Sequence, residues 1–432
     1  MSSKPLSAGS KRVVYPDRNQ MQWDAMVLEE RLAADHPARL LWQATGTLNL
    51  EGFYSWIKSV DGSAGRPAID PRVLLCLWLL ATSEDVGSAR ELARLCKVHD
   101  AYRWVAGGID ISYHTLSDFR VQFKSELDDL FTQILGKLVY AKVITVTRVS
   151  QDGTRVPAWA GKGSFHSEPT LKKHLEEAKA HVERLSKEAD DPNISEKKKA
   201  AMKRAADEKL ARVTRALEVE LPKAVESREG RGWRKDDPAR KQPPRASTTD
   251  PDCRKMKMSN GGFQPAYNVQ LAVDTESRAI VGVDVTNQGK DSGLCGPMRE
   301  QVEKRTGLKV KEHLTDEGYR RNEDIVEAAA QGVAIYRPPP PLPKDSKRAS
   351  VYEAGPDDDP AVVEWKKRME SEEGQAIYNE RCSTVETVNG DLKTNRALSR
   401  IRVRGPHRAM SCALLSTLTY NLLTFMEVMV KT

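Results

Sequence analysis

Between residues 20 and 140 apolar positions recur at helical spacing. Val73, Leu74, Leu77, Leu80 and Ala81 fall on one face. Ser88 followed by Glu91 is a capping-box pattern that opens a helix over 89–96. A short helix over 100–105 is stopped by Gly107-Gly108, and another is expected from about Ser117. Short helices joined by tight turns fit either a helix-turn-helix, which lays one helix in a DNA groove, or a plain helical bundle. Arg90, Arg94, Lys97 and Arg103 tilt the balance toward DNA.

The texture changes at Ile144, where residues 144–149 alternate and run on into Gln151-Asp152-Gly153-Thr154-Arg155-Val156, the start of a strand domain. Residues 170–185 and 196–221, rich in Ala, Lys, Glu and Arg, then interrupt it as a charged helical hairpin around Asp-Asp-Pro-Asn at 190–193, followed by an Arg-, Gly- and Pro-rich linker over 227–245. The hairpin reads as a dimerisation coiled coil with poor apolar heptads or as a solvated arm. Strand texture returns at 267–274 and 279–285. A helix (293–305), a strand (309–315), a helix (322–331) and a strand (333–336) follow, then a proline run at 338–341 and a mostly helical stretch over 361–399. Without the insertion the order is three strands, helix, strand, helix, strand and a late helix. That is the order of a ribonuclease-H-like mixed α/β sheet, with an antiparallel opening meander and later parallel strands joined by helical crossovers. The expected organisation is an all-α N-terminal domain over 1–142 and a catalytic sheet domain over 143–432, the latter interrupted between its first two strands by a helical insertion and linker over 162–262.

Composition narrows the function. Among 432 residues Lys and Arg total 68 against 61 Asp and Glu, a surplus of +7 that is small for this length. Residues 162–258 hold 25 basic and 18 acidic residues, the whole surplus, and residues 393–408 hold six basic residues and no acid. Two local basic surfaces follow. Six scattered cysteines without a CxxC pair argue against a zinc ribbon or a disulfide framework and fit a reducing cytoplasm. The first residues lack an apolar signal core, and the apolar runs 73–81 and 409–429 are too short or too interrupted to span a bilayer, so both read as buried helices. No HExxH pattern or Walker A loop occurs, which argues against a zinc hydrolase and against ATP use.

Three acids stand out by position: Asp152 on the first strand, Asp316 at the end of the fourth, and Glu386 on the late helix. First and fourth strands can be neighbours in such a sheet, so the three carboxylates can converge. Two Mg²⁺ ions about 3.5–4 Å apart, held by carboxylates, can flank the attacking and leaving oxygens of an in-line displacement. Each acid also has a plainer reading. Asp152-Gly153 is a hairpin-turn signal, Asp316 could cap a short helical turn beside the rival strand-end acids Asp274, Asp284 and Asp291, and Glu386 could be one more exposed helix residue. Val385, Val388 and Leu392 give the late helix a core face; Glu386 and Lys393 share another, with Arg381 before them.

The run Tyr378, Arg381, Glu386, Lys393 resembles the Tyr-Arg-Glu-Lys signature of bacterial insertion-sequence transposases of the DDE class, except that four residues separate Arg381 from Glu386 where the commonest form has three. Asp152-Gly-Thr and Thr315-Asp-Glu-Gly-Tyr319 resemble the family's first and second acid motifs, residues 248–270 the approach to its second strand, and His114-Thr-Leu-Ser-Asp-Phe-Arg120 its helical N-terminal part. The resemblance implies a polynucleotidyl transferase. Asp152, Asp316 and Glu386 would hold two Mg²⁺ (or Mn²⁺) ions, and Tyr378, Arg381 and Lys393 would hold phosphates near the cut. Arg396, Arg400, Arg90 and Arg94 would bind terminal-repeat and target DNA, with a homodimer assembling on the DNA. A metal-dependent nuclease without strand transfer and a catalytically inactive DNA-binding regulator are the alternatives.

Overall fold

The computed structural model describes residues 26–59, 67–187, 195–229, 242–342 and 348–431. The N-terminal segment 1–25, the 190–193 turn and most of the expected linker lie outside the described residues. Among the described residues, after a short 3-10 turn at Leu28–Arg31, seven α-helices precede the sheet: α1 (Pro37–Gly46), α2 (Glu51–Tyr54), α3 (Pro71–Ser83), α4 (Ala89–Val98), α5 (Asp100–Ala106), α6 (Tyr113–Gln122) and α7 (Lys124–Tyr140). Local chemistry sets several of their ends. Ser88 accepts from the Glu91 amide as the cap of α4, and Gly107 ends α5 in the left-handed conformation at φ 59°. Helix α6 starts at Tyr113, capped by Ser112, and not near Ser117; its apolar spacing is sparse and only the cap marks it.

A six-stranded sheet follows. It is built from β1 (Arg148–Pro157), β4 (Arg254–Lys257), β5 (Phe263–Asp274), β6 (Ile280–Thr286), β7 (Glu312–Leu314) and β8 (Ala334–Tyr336), while β2 (Phe165–His166) and β3 (Ala246–Ser247) pair separately. Strand β5 pairs antiparallel with β1 on one side and with β4 and β6 on the other, and β7 is parallel to both β1 and β8. This is the mixed sheet expected from the element order. The crossovers are α11 (Cys295–Thr306) and α12 (Asn322–Ala330). Residues 144–147 are not strand, because Val146 turns to positive φ and its amide donates to the Asp274 carboxylate at 3.0 Å. Strand β4 has one buried apolar residue, Met256, and its polar sequence hides it from a periodicity reading.

Asp152-Gly153 is not a hairpin turn. Both residues lie inside a ladder running unbroken from Val149↔Asp274 to Pro157↔Ala266, with Asp152 opposite Leu271 and Gly153 opposite Gln270. Helix α16 (Pro406–Thr424) is buried almost all round, the mark of a core helix. Asn421 on it pairs with both backbone groups of Ile280 at the start of β6, at 3.0 and 2.8 Å. One apolar core therefore runs from the N-terminal helices through α16 into the sheet. No helix among the described residues is long and apolar enough to cross a membrane.

The insertion contributes α8 (Glu168–Lys187), α9 (Glu196–Arg215) and α10 (Leu221–Glu229), with a π turn at Ala216–Glu220. That turn buries Glu220, which pairs with Arg254 on β4 and with Lys223 at 3.3 Å, while Arg215 pairs with Asp252 at 2.5 Å. These ion pairs, with a small apolar cluster of Leu171, Ala216, Leu221 and Ala246, fasten the arm's base to the sheet.

Candidate active site

Asp152 lies in the middle of β1, and Asp316 follows the end of β7, the parallel neighbour of β1, where Thr315 prolongs the ladder by donating to the Tyr336 carbonyl at 3.0 Å. The two acids approach closely enough for their charges to oppose each other. Burial pushes the Asp152 carboxyl above the usual carboxylate range; Arg381 pulls it back and Asp316 adds to the rise. Asp316 behaves likewise, raised by burial and lowered by Arg381. Asp316 also does what its plainer reading required: its Oδ1 accepts from the Gly318 amide at 2.8 Å and closes the turn to Tyr319.

The third acid arrives on a helix wound in two registers. Helix α14 (Glu372–Arg381) passes through a π turn at Cys382–Glu386 into α15 (Thr387–Asn395). In a π turn the backbone bonds i→i+5, so residues five apart stack on one face. Arg381 and Glu386 are such a pair, joined at 2.6 Å, and the other arm of the Arg381 guanidinium reaches Asp152 at 3.1 Å. The extra residue between Arg and Glu is thus absorbed by the π turn. Burial opposes the Arg381 charge, but Asp152, Asp316, Tyr378 and Glu386 around it outweigh that, and its pKa rises. Asn389, one turn beyond Glu386, donates to the second Asp152 oxygen at 2.9 Å.

On the opposite face of β1 lies a buried polar layer of which the sequence marked only Asp291, as a rival strand-end acid. Asp291, fully buried, accepts from Asn268 at 2.7 Å, Gln270 at 2.8 Å and Arg155 at 2.8 Å; Gln270 in turn accepts from Gln151 at 2.8 Å and from the Tyr319 hydroxyl. Two glycines make room for it. A Cβ on Gly153 would stand 2.3 Å from Asp291 Oδ1, and one on Gly318 would stand 2.8 Å from Asp316 Oδ1 and 3.2 Å from Asp291 Oδ2. The glycine after Asp152 therefore serves a carboxylate behind the strand and not a turn.

The remaining sequence candidates divide. Tyr378 is half-buried beside Arg381 and Asp316, and Lys393, on the next turns of the same helix, feels the Asp152 charge, though burial lowers its pKa. Arg381, expected against a phosphate, is turned inward among the acids. Arg396 is tied to Asp391 at 3.1 Å and to the Ser83 carbonyl at 3.3 Å, joining α15 to α3. Arg400 lies over the Trp159 ring at 5.2 Å. Of the N-terminal cations, Arg90 covers the Tyr113 ring, and Arg94, Lys97 and Arg103 pair with Glu91, Asp110 and Asp100. Asp274, a rival by position, is structural and caps its own hairpin through Ser277; Asp250, within the 248–270 motif, is structural as well and accepts from the Tyr267 hydroxyl at 2.8 Å.

The donors at the site are hard carboxylate oxygens, the kind Mg²⁺ and Mn²⁺ take. Asn389 Oδ1, buried and without a hydrogen-bond partner, adds a free acceptor beside them. Among the described residues no three His, Cys, Asp or Glu side chains are grouped closely enough to hold a metal ion, so Asp152, Asp316 and Glu386 do not form a three-ligand set. An ion that keeps waters and substrate oxygens needs only one or two carboxylates, so an open set of this kind fits it.

Two family models match the chain. Residues 26–122 match a transposase domain, DUF772, and residues 234–422 match a transposase DDE domain. No curated protein matches the sequence.

Proposed function

The chain belongs to the DDE transposases, polynucleotidyl transferases that generally use divalent metals, and on that footing we propose that Asp152, Asp316 and Glu386 are its catalytic acids. The observation that carries the assignment is that neighbouring parallel strands deliver Asp152 and Asp316 while one guanidinium, Arg381, ties Glu386 to Asp152. Two Mg²⁺ or Mn²⁺ ions would be held by these carboxylates and would supply activation of water or a 3′ hydroxyl and neutralisation of the leaving oxygen. The chain's own contribution is positional. Asn389 fixes the rotation of the Asp152 carboxylate, and Arg381 offsets the crowding of negative charge until DNA is bound. Lys393 and Tyr378 border the acids where a phosphodiester would lie, and a Lys there offers a point charge to a phosphate oxygen. Arg381 is assigned to ordering the acids and not to holding a phosphate.

In this reading the enzyme cuts at the ends of an insertion sequence, and the freed 3′ hydroxyl attacks target DNA. Terminal repeats and flanking DNA bind through phosphates to the basic stretch 393–408 and to the N-terminal helices, whose exposed Arg94–Glu91 and Lys97–Asp110 pairs are weak enough to exchange for phosphate. Two copies assembling on two ends, in a cytoplasmic setting, complete the proposal. Purified protein incubated with Mg²⁺ and duplexes ending in the inverted repeats that flank the gene tests it. Joined products lost in Asp152→Asn are expected. Free cut ends without joined product would instead identify a nuclease, and cleavage unchanged in Asp152→Asn would remove that acid from the assignment.

A further inference from the structure

The root of the insertion arm is a small platform, β2 paired with β3, from which α8 departs. Phe165 and His166 stand opposite Ser247 and Ala246, and the hydroxyls of Ser164 and Ser247 meet at 2.8 Å. His166 meets His174 of α8 edge to face, with ring centroids 4.6 Å apart. Lys255 on β4 lies over the Phe165 ring at 4.9 Å. Arg245, the residue before β3, is the cation common to both places: its charge bears on His166 and on Lys255, and Lys162 bears on Lys255 as well. Desolvation and these like-charged neighbours hold the His166 imidazole and the Lys255 amine below their ordinary values.

Among the described residues no carboxylate pairs with any member of this cluster. The acids of α8 turn to its own lysines, Glu168 to Lys172 at 2.7 Å and Glu177 to Lys173 at 3.9 Å. Glu220 and Asp252, at the same root, are held by Arg254, Lys223 and Arg215. Lys162, Arg245 and Lys255 are exposed, and the two histidines are half-buried. Like charges gathered without a counter-charge repel, and a bound anion removes that cost. A metal ion does not suit the two imidazoles, since no third ligand of the usual kinds joins them and the surrounding cations would oppose it. The cluster also has a direction. Lys255 and Lys257 leave the exposed side of β4 on either side of buried Met256, about 6.6 Å apart, and Lys257 borders the same cleft as Lys393. Positive charge thus continues from the edge of the acids to the arm's root, a track that suits a polyanion better than an isolated ion.

We propose that the root of the insertion arm binds backbone phosphates of duplex DNA remote from the cut, through Lys162, Arg245 and Lys255 at any pH and through the His166–His174 pair only when it is protonated. The inference rests on the transposase reading, which makes DNA the polyanion at hand, and it gives the insertion a task outside the reacting centre. A phosphate among the imidazoles favours their charged form. DNA binding therefore takes up protons near the ordinary imidazole range, about 6.5, and the arm's grip tightens as pH falls through it.

The test is fluorescence anisotropy of the full chain with a labelled terminal-repeat duplex extended by flanking DNA, titrated with salt at about pH 6 and about pH 8. In the wild type the slope of log affinity against log salt should be steeper at the lower pH, by about 0.9 for each phosphate the histidines take up. The His166→Gln, His174→Gln double variant should lose that difference. Arg245→Ala and Lys255→Ala should each be shallower by about 0.9 at both pH values. Arg245→Lys should keep the wild-type slope, and the Tm of Arg245→Ala should hold or rise because a like charge has gone. A pH difference that persists in the double variant would overturn the inference, as would unchanged slopes together with a lower Tm in Arg245→Ala, the mark of a purely structural cluster. Millimolar inorganic phosphate at matched ionic strength should leave the pH difference in place; its disappearance would identify a site for the free ion and overturn the DNA assignment. Asp152→Asn should show wild-type slopes. Cleavage surviving in Asp152→Asn would remove the catalytic assignment without touching these slopes, so the two readings fail separately.

Discussion

Arg381 and Glu386 meet at 2.6 Å although they are five positions apart, a spacing that in an α-helix would point them about 140° away from each other. The π turn at Cys382–Glu386 removes that difference, and the same guanidinium then reaches Asp152. If the turn is an α-helix with one residue added, deleting the exposed Ser383 should restore α geometry and keep Arg381 and Glu386 on one face at i,i+4. End cleavage by that deletion variant is expected to stay close to wild type. Deleting Gly390, between Glu386 and Lys393, rotates Lys393 by about 100° relative to Glu386 and should cost about a hundredfold or more in cleavage rate. Equal losses in the two deletions would mean that the π turn is not a neutral insertion.

Arg381 is almost fully buried and is the cation shared by Asp152 and Glu386. Arg381→Gln would leave carboxylates facing one another without compensation, at a cost on the order of 3 kcal/mol. A lower Tm is expected, measured by thermal denaturation in EDTA, and Mg²⁺ should recover part of it by taking over the neutralising role. An undiminished Tm in EDTA would show that Arg381 does not hold the acids together.

The degree to which the site was legible follows the range of the interactions that make it. Ser88 and Gly107 announce helix ends because the hydrogen bonds involved are local. The strand order was readable from alternating periods, and with it the adjacency of β1 and β7. Asp152-Gly153 was ambiguous because the glycine answers to Asp291, 138 residues further on, and a turn glycine looks the same in one dimension. Asp291 was marked only as a rival strand-end acid and not as the centre of a buried network: its partners Asn268, Gln270 and Arg155 come from two strands, and nothing about a lone Asp after a strand predicts them. The inward turn of Arg381 is likewise invisible until the π turn sets its phase.

Burial raises both Asp152 and Asp316 above their ordinary 3.8. A carboxyl with a raised folded-state pKa binds its proton more tightly folded than unfolded. The stability it contributes is full below the unfolded value and is lost as pH rises through the raised one. On the alkaline side both are charged and oppose each other, which a divalent cation would relieve. Millimolar Mg²⁺ is therefore expected to raise Tm at about pH 8, with a gain that shrinks toward acid as the sites protonate. Chelation should reverse the gain, and the Asp152→Asn, Asp316→Asn double variant should lack it. The acid limb of the cleavage rate should also lie above the range of an unperturbed Asp. A pH-independent Mg²⁺ effect would place the ion elsewhere.

Gly153 and Gly318 separate the structural from the catalytic share of the polar layer. A methyl at 153 would meet Gln270 Nε2 at 2.2 Å and Asp291 Oδ1 at 2.3 Å, both inside the buried network and unable to retreat. Gly153→Ala should therefore destabilise the fold by about 1–3 kcal/mol, the usual penalty of overpacking, as well as lose activity. At 318 the nearest atom is Asp316 Oδ1 at 2.8 Å, in a half-buried carboxylate that can swing away. Gly318→Ala should accordingly keep most of the wild-type Tm but move Asp316 off its position, with a loss of about a hundredfold in cleavage for a displacement near 1 Å. Urea denaturation read beside a cleavage assay distinguishes the two. Full activity in Gly318→Ala would mean that the observed rotamer of Asp316 is not the one that supports cutting.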